Sequence, residues 1–167
     1  MNGSTPSTYL LSMLRRQPQA YARIRGSDAY PGIAGTVFFY QTVRGAVVAA
    51  EVSGLPQPPG RCASGIFAFH IHAGPVCSGT AEEPFAGALS HYDPGSCPHP
   101  YHAGDLPPLF GNSGYAFQVF LTDRFSVREI LGKTVIIHAN PDDFTTQPAG
   151  KAGQRIACGE IRAFGRW

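Results

Sequence analysis

The chain has 167 residues, enough for one domain with a substantial core. Charged residues make up 14% of it, against about 25% in an average soluble protein. The 20 glycines and 15 prolines favour short strands and turns over long helices. The net charge of +2 and the scattered Lys and Arg residues argue against a nucleic-acid or membrane-surface partner, and no apolar run reaches the ~20 residues of a membrane span.

Residues 1–19 are predicted to be a flexible N-terminal extension, with the folded domain spanning residues 20–167. The apolar stretch from Tyr9 to Leu14 is short, and Arg15 and Arg16 follow it, whereas a secretory signal carries its positive charges first. We therefore expect a cytoplasmic location, with an extracytoplasmic one left open. A single amphipathic turn that docks elsewhere is the alternative to a flexible tail.

Period-2 alternation of β-branched and aromatic residues predicts antiparallel strands in the first part of the domain. The pattern covers residues 21–26, 35–40 and 46–52, with a turn at Gly45 between the last two. A Pro-rich break over residues 55–60 precedes a further strand over residues 65–72. These short strands with tight turns indicate an all-β domain.

Residues 73–112 contain seven prolines and are predicted to be mostly irregular. A loop of this length is uncommon in a compact domain unless it has a function or an anchor, and this one carries three histidines. Strand patterns return at 115–121, 133–138 and 155–164, with a helical turn predicted over Val127–Leu131 and a second irregular loop over 139–154. The fold expected is an eight-stranded antiparallel Greek-key β-barrel or sandwich with two long functional loops.

The histidines are the strongest chemical signal. His70 and His72 lie two apart in a predicted strand, so their side chains project to the same face. A single buried histidine is more often a hydrogen-bonded core residue than a ligand, but none of the six lies outside residues 70–138. Because imidazole suits copper and zinc, the sequence predicts a metal site.

Five short sequence motifs follow one another along the chain, and four of them contain histidines. They are FHIH (69–72), HYDP (91–94), HAGDLP (102–107), IHANPDD (137–143) and GQRIACG (153–159). In this order they resemble the copper–zinc superoxide dismutase family, particularly its bacterial branch, over about residues 20–163. The resemblance implies an enzyme that disproportionates superoxide to dioxygen and hydrogen peroxide, with Cu(II)/Cu(I) and Zn(II) as cofactors.

The resemblance also implies the ligands of both metals. The copper ligands would be His70, His72, His91 and His138, and the zinc ligands would be His91, His99, His102 and Asp105. His91 would bridge the two metals and serve with Arg155 as a catalytic residue. Four nitrogens suit tetragonal Cu(II), and three nitrogens with one carboxylate suit tetrahedral Zn(II).

Two further residues match functional positions of the family. Asp142 matches a carboxylate that hydrogen-bonds one histidine of each metal, although a loop-capping role is the simpler alternative. Asp143 beside it is expected to be a turn residue. Arg155 matches an arginine that attracts and orients a small anion, which outweighs its interpretation as a surface charge. Lys151 either adds to this positive field or only solvates its loop.

The sequence departs from the family in its two loops. His99 and His102 are separated by only two residues, so this loop must turn tightly, and Cys97 is a rival zinc ligand to His99. The loop over 139–154 is short and has few charged residues. We therefore expect weak electrostatic steering of superoxide that relies mainly on Arg155.

The four cysteines form no C-x-x-C pair, which excludes a zinc ribbon or thioredoxin-type motif. The resemblance implies a Cys77–Cys158 disulfide. Cys62 and Cys97 are not expected from the family; a second bridge between them is a tentative prediction, and two unpaired thiols are the alternative.

Two other functions remain as alternatives. One is a non-catalytic copper-binding or copper-delivery module of the same fold, and the other is a zinc-only structural protein. The combined presence of His91, Asp142 and Arg155 favours the enzyme, because storage requires none of the three. A homodimer is left open, since no strand pattern identifies a partner face.

Overall fold

The protein is described by a computed structural model that covers residue 12 and residues 15–57, 59–60 and 65–165. These residues form eight strands and a three-residue 3₁₀ helix at Ala86–Ala88. The strands are β1 (Ala20–Gly26), β2 (Ala34–Thr42), β3 (Gly45–Ser53), β4 (Gly65–His72), β5 (Asp105–Gly111), β6 (Ala116–Thr122), β7 (Thr134–His138) and β8 (Arg155–Ala163). The predicted all-β class is confirmed.

The eight strands form one antiparallel sheet in the order β5-β4-β7-β8-β1-β2-β3-β6. Pairing of β4 with β7 and of β1 with β8 brings together segments distant in sequence, as in a Greek key. A turn at Asn112–Tyr115 joins the two end strands, and Gln118 Nε2 donates to the Pro107 carbonyl at 3.1 Å across them. The sheet therefore curls into a nearly closed barrel.

Alternation along the strands places one face in the barrel core. In β1, Ala20, Ala22 and Ile24 are buried inside, while the alternating residues Arg23 and Arg25 are exposed. Phe39 and Phe69 are among the largest fully buried side chains.

Strands β4 and β7 are buried on both faces, and this positions the histidines. Phe69 and Ile71 of β4 point into the core, so His70 and His72 lie on the outer face of the barrel. They are nevertheless buried, because the loops that follow β4 and β7 cover that face. His138 ends β7, whose five residues are all buried. A rigid sheet thus supplies three histidines to a site enclosed by loops.

Two local predictions were wrong. Residues 105–111 form strand β5, although Pro107 and Pro108 led us to expect irregular chain there. β5 lies at one end of the sheet and pairs only with β4, so its outer edge tolerates residues that lack an N–H donor. Val127–Leu131 forms consecutive turns rather than a helical turn.

The predicted N-terminal extension, residues 1–19, lies largely outside the described residues and stays a prediction. The barrel begins beside it, where Gln19 N donates to the Phe39 carbonyl at 2.9 Å and Phe164 N donates to the Gln19 carbonyl at 2.8 Å. Among the described residues, no helix has the length and apolar character required to cross a membrane.

Candidate metal centre

Four histidines converge on the outer face of β4 and β7. We call His70, His72, His91 and His138 the four-histidine group; one ring nitrogen of each lies within 4.8 Å of those of the others. His91 comes from the long loop, which is pinned to β4 by a hydrogen bond from Tyr92 N to the Ile71 carbonyl at 2.8 Å. All four side chains are buried.

Each of these histidines has one ring nitrogen held by an acceptor outside the group, Asp105 in the case of His91. The other contacts are His70 Nε2 to Asp142 Oδ2 (2.8 Å), His72 Nδ1 to the Leu89 carbonyl (2.8 Å) and His138 Nδ1 to the Gly153 carbonyl (3.2 Å). Such contacts fix ring orientation and leave the other nitrogen to face the centre of the group. The facing Nε2 atoms of His72 and His138 are 3.4 Å apart.

Unpartnered nitrogens test whether these residues fit a metal. Among the described residues, His70 Nδ1 and His91 Nε2 are buried and have no hydrogen-bond partner. Leaving such groups unsatisfied is costly, and a metal ion would satisfy them. Since four imidazole nitrogens suit copper, the four-histidine group fits that ion.

A second group lies directly against the first. We call His91, His99, His102 and Asp105 the mixed group; its ligand atoms also lie within 4.8 Å of one another. Asp105 Oδ1 is 2.8 Å from His91 Nδ1, and Asp105 Oδ2 is 3.1 Å from His99 Nδ1 and 3.3 Å from His102 Nδ1. Three imidazole nitrogens together with one carboxylate oxygen are a suitable ligand set for tetrahedral zinc. Cys97 is exposed and is not a member of this group, whereas His99 is.

His91 belongs to both groups. Its Nδ1 contacts Asp105 and lies 3.3 Å from His102 Nδ1, while its unpartnered Nε2 faces the four-histidine group. Burial lowers the pKa of His91, although its hydrogen bond to Asp105 opposes that shift. His91 therefore faces both groups, and holding an ion at each of its two ring nitrogens would require the imidazolate form, in which neither nitrogen carries a proton.

Asp142 contacts one histidine of each group and so links the two groups. Its Oδ2 accepts from His70 at 2.8 Å and its Oδ1 contacts His99 Nε2 at 2.9 Å. Burial would raise the pKa of Asp142, but hydrogen bonds from His70, the Phe144 backbone and His99 outweigh it and lower the pKa to about 2. The carboxylate is therefore charged at neutral pH and orients one histidine of each group, the arrangement the resemblance implied.

Gly150 is a site residue that the sequence analysis missed. It has a φ of 63°, and a Cβ at this position would overlap Asp142 Oδ1 and press against His99 Nε2. The loop backbone can therefore pack against the carboxylate only because this residue has no side chain. A glycine in a Gly-rich chain gives no signal of this role.

Arg155 lies beside the four-histidine group at the start of β8. Its Nη1 donates to the Phe85 carbonyl at 2.7 Å and its Nη2 to the Leu89 carbonyl at 2.6 Å. Phe85 and Leu89 flank the 3₁₀ helix, and each has a φ of 60°, which is uncommon for residues with a side chain. This backbone conformation directs both carbonyls to the guanidinium.

The arginine is close enough to influence the histidine group electrostatically. Burial, with smaller contributions from neighbouring histidines and Arg155, lowers the pKa of His72 well below its usual value. The same causes lower the pKa of His138 to about 3. Both imidazoles are therefore neutral at physiological pH, the state in which they bind metals.

The Cys77–Cys158 disulfide is formed, with a Cα–Cα distance of 5.8 Å. It ties the loop after β4 to β8, three residues beyond Arg155, and so holds the segment that carries Phe85 and Leu89 near the guanidinium. Cys97 is an exposed free thiol, and Cys62, its partner in the tentative second bridge, lies outside the described residues.

Two charged residues near the site, Asp143 and Lys151, lie at its periphery. Asp143 accepts hydrogen bonds from the backbone and hydroxyl groups of Thr145 and Thr146 and so caps a turn, as expected. Lys151 is exposed on the loop that covers the site.

Comparison with known proteins agrees with this geometry. Residues 33–161 match the family model described as copper/zinc superoxide dismutase. The chain is 34% identical over 150 residues to a protein named "Superoxide dismutase [Cu-Zn]" from Deinococcus radiodurans, covering 79% of each chain. It is 32% identical over 163 residues to a protein of the same name from Legionella pneumophila, covering 93% of this chain and 94% of the relative.

A solved structure has the same fold. The Cu/Zn superoxide dismutase from Brucella abortus superposes with a TM-score of 0.71 at 25% identity, covering 85% of this chain and 99% of that one. The range matched by the family model, residues 33–161, spans every member of the two histidine groups, Asp142 and Arg155. The chain belongs to the copper/zinc superoxide dismutase family.

Proposed function

We propose that this chain disproportionates superoxide to dioxygen and hydrogen peroxide, with Arg155 holding the anion and His91 transferring a proton. The observation that carries the assignment is the position of His91, one ring shared by a four-nitrogen group and a mixed nitrogen–carboxylate group. Copper in the first group would supply the one-electron Cu(II)/Cu(I) couple, and zinc in the second, having no redox chemistry, would orient His91.

Arg155 is suited to bind the substrate because superoxide is a small anion. Two carbonyl acceptors fix the plane of the guanidinium, which has five N–H donors in all. The remaining donors and the positive charge can orient superoxide at the edge of the four-histidine group. Half-burial of Arg155 strengthens this attraction relative to that of a fully solvated charge.

His91 is suited to proton transfer because its Nε2 has no partner within the described protein. This nitrogen can take up a proton and donate it to a peroxide oxygen as the product forms. Asp105, at 2.8 Å from Nδ1, holds the ring in place on its other side. Asp142 keeps the adjacent His70 ring fixed, so the group retains its geometry while His91 changes protonation.

The alternatives differ from the enzyme in measurable ways. A copper-delivery module would bind copper without turnover, and a zinc-only structural protein would retain zinc but give no defined copper site. The test is reconstitution with copper and zinc, followed by metal analysis and measurement of superoxide decay. Rapid decay with about one equivalent of each metal is expected. Full copper occupancy without dismutation would support the delivery module.

A homodimer is a further proposal. Its support is a set of large exposed side chains on the adjoining end strands of the barrel: Phe110 of β5 at 59% exposure, and Phe117 and Leu121 of β6 at 59% and 51%. Clustered exposed apolar side chains are typical of interaction surfaces. Sedimentation of the wild type and of Phe117→Glu tests this: a dimer that dissociates on substitution supports it, and a monomeric wild type contradicts it.

A further inference from the structure

Arg124 makes an unusual set of contacts outside both loops that carry the metal-binding residues. It lies in the connection from β6 to β7, and its Nη1 donates to the carbonyls of Pro100, His102 and Asp105 at 3.0, 3.2 and 3.1 Å. A single guanidinium nitrogen thus contacts three backbone acceptors within six residues of chain. Hydrogen bonds from a charged donor are roughly twice as strong as those between neutral groups.

Two of these carbonyls belong to members of the mixed group. His102 and Asp105 also contact each other through the backbone, since Asp105 N donates to the His102 carbonyl at 3.2 Å and His102 N donates to Asp105 Oδ2 at 3.1 Å. The segment is therefore a tight turn whose side chains face His91 and His99. Its carbonyls face the opposite way, toward Arg124.

Backbone hydrogen bonds at Gly104 also hold this segment, since Ile71 N of β4 donates to the Gly104 carbonyl and Gly104 N donates to the Tyr92 carbonyl, both at 2.8 Å. Cys97 and Tyr101 of this loop are nevertheless exposed, and Asp105 begins an end strand. Removing the guanidinium would take the charged donor away from all three carbonyls, of which that of His102 would keep the Asp105 N–H, and would allow the turn to move. Movement of the turn would displace an imidazole and a carboxylate that must converge on one ion.

We propose that Arg124 is a positioning residue for zinc: by holding the carbonyls of Pro100, His102 and Asp105, it preorganises the last two residues for metal binding. It touches neither metal nor substrate. The inference rests on the zinc assignment in the proposed function and adds a residue from outside the metal-binding loops to that site.

The chain offers a matched control. Arg44 lines the same surface cavity as Arg124, but within the described part of the chain its guanidinium makes no hydrogen bond or ion pair. Arg44→Gln therefore removes one positive charge near the zinc site and leaves the carbonyl contacts intact. Arg124→Gln removes both the charge and the contacts, and Arg124→Lys keeps the charge with a donor of different geometry.

The experiment measures zinc affinity by chelator competition on the metal-free chain and records the visible spectrum of the Co(II)-substituted site. Arg124→Gln is expected to weaken zinc binding about tenfold or more and to alter the Co(II) spectrum, Arg124→Lys to restore part of the affinity, and Arg44→Gln to match the wild type. Thermal unfolding of each metal-free variant measures stability separately.

Two results would overturn the proposal. One is an Arg124→Gln variant that is less stable but has wild-type zinc affinity and an unchanged Co(II) spectrum, because a purely structural contact stabilises the metal-free and zinc-bound forms equally. The other is an equal loss of affinity in Arg44→Gln, which would assign the effect to charge alone. Failure of the zinc site itself is distinguishable, since the wild type and His102→Ala would then bind zinc equally weakly.

Discussion

Arg155 and His72 share one acceptor: the Leu89 carbonyl lies 2.6 Å from Arg155 Nη2 and 2.8 Å from His72 Nδ1. The group proposed to bind the anion and a proposed copper ligand are therefore held by the same backbone atom. Leu89 has a φ of 60°, so the loop adopts an unfavourable conformation where the two meet. The shared carbonyl couples the position of the guanidinium to that of the histidine.

Replacement of Arg155 should reduce turnover without loss of metal. Arg155→Ala is expected to lower kcat/KM for superoxide by about 100-fold, the usual effect of removing an oriented donor to a developing charge. Arg155→Lys should retain more of the activity because it keeps the charge but lacks the planar fork. Superoxide decay is measured on protein with confirmed copper and zinc content. Unchanged kcat/KM in Arg155→Ala would exclude the proposed role.

The dependence of the rate on ionic strength should be weak. The loop over 139–154 has few charges, and Lys151 is exposed at its surface, so Arg155 is the main positive group near the four-histidine group. Long-range steering by few charges is small and is screened over about 10 Å at 0.1 M salt. Superoxide decay is measured from low to moderate salt for the wild type and Lys151→Gln. A steep dependence that Lys151→Gln abolishes would assign the steering to the lysine instead.

Gly150→Ala should disrupt the link that Asp142 makes between the two groups. The added Cβ would overlap Asp142 Oδ1, and the φ of 63° disfavours any side chain. Gly132→Ala is the control, because Gly132 has a φ of 73° but no atom within 4 Å of its added Cβ. We expect Gly132→Ala to lose about 1 kcal/mol of stability, and Gly150→Ala to lose more and to bind zinc more weakly. Equal effects of the two substitutions on stability and zinc content would contradict the assigned role.

The metal-free chain should lose stability as the pH falls below neutral. The pKa of His138 is about 3 in the folded state, lowered mainly by burial, against 6.5 for an ordinary histidine. The unfolded chain therefore binds protons first, and the stability contributed by neutral His138 is complete above pH 6.5 and lost progressively as the pH falls toward 3. At pH 5 this amounts to roughly 2 kcal/mol from His138 alone.

Urea unfolding of the metal-free chain at pH 7 and pH 5 measures this loss. The lowered pKa of His72 acts in the same direction, so the total decrease should exceed the contribution of His138. His138→Gln should show a smaller difference between the two pH values than the wild type. Equal stability of the wild type at both pH values would show that these histidines are not held neutral.

Much of the metal centre could be predicted from the sequence because its residues recur in local strings. His70 and His72 are on one face of any strand that contains both, and an imidazole binds copper or zinc whatever the loop around it. The strand containing Pro107 and Pro108 could not be predicted. Proline fits a strand at the end of a sheet, and only the folded chain places this segment there, paired with β4.

The sequence by itself determined the all-β class, the residue types that converge as ligands and the Cys77–Cys158 pairing through its family resemblance. Only the tertiary structure decided which ring nitrogens face the centre of each group, that a side chain at position 150 would overlap Asp142, and that the Leu89 carbonyl and the Arg124 guanidinium contact residues of the site. The ligands depend on side-chain chemistry, which each residue carries locally. The supporting contacts involve backbone carbonyls, which every residue has and which only the folded chain directs to a particular partner.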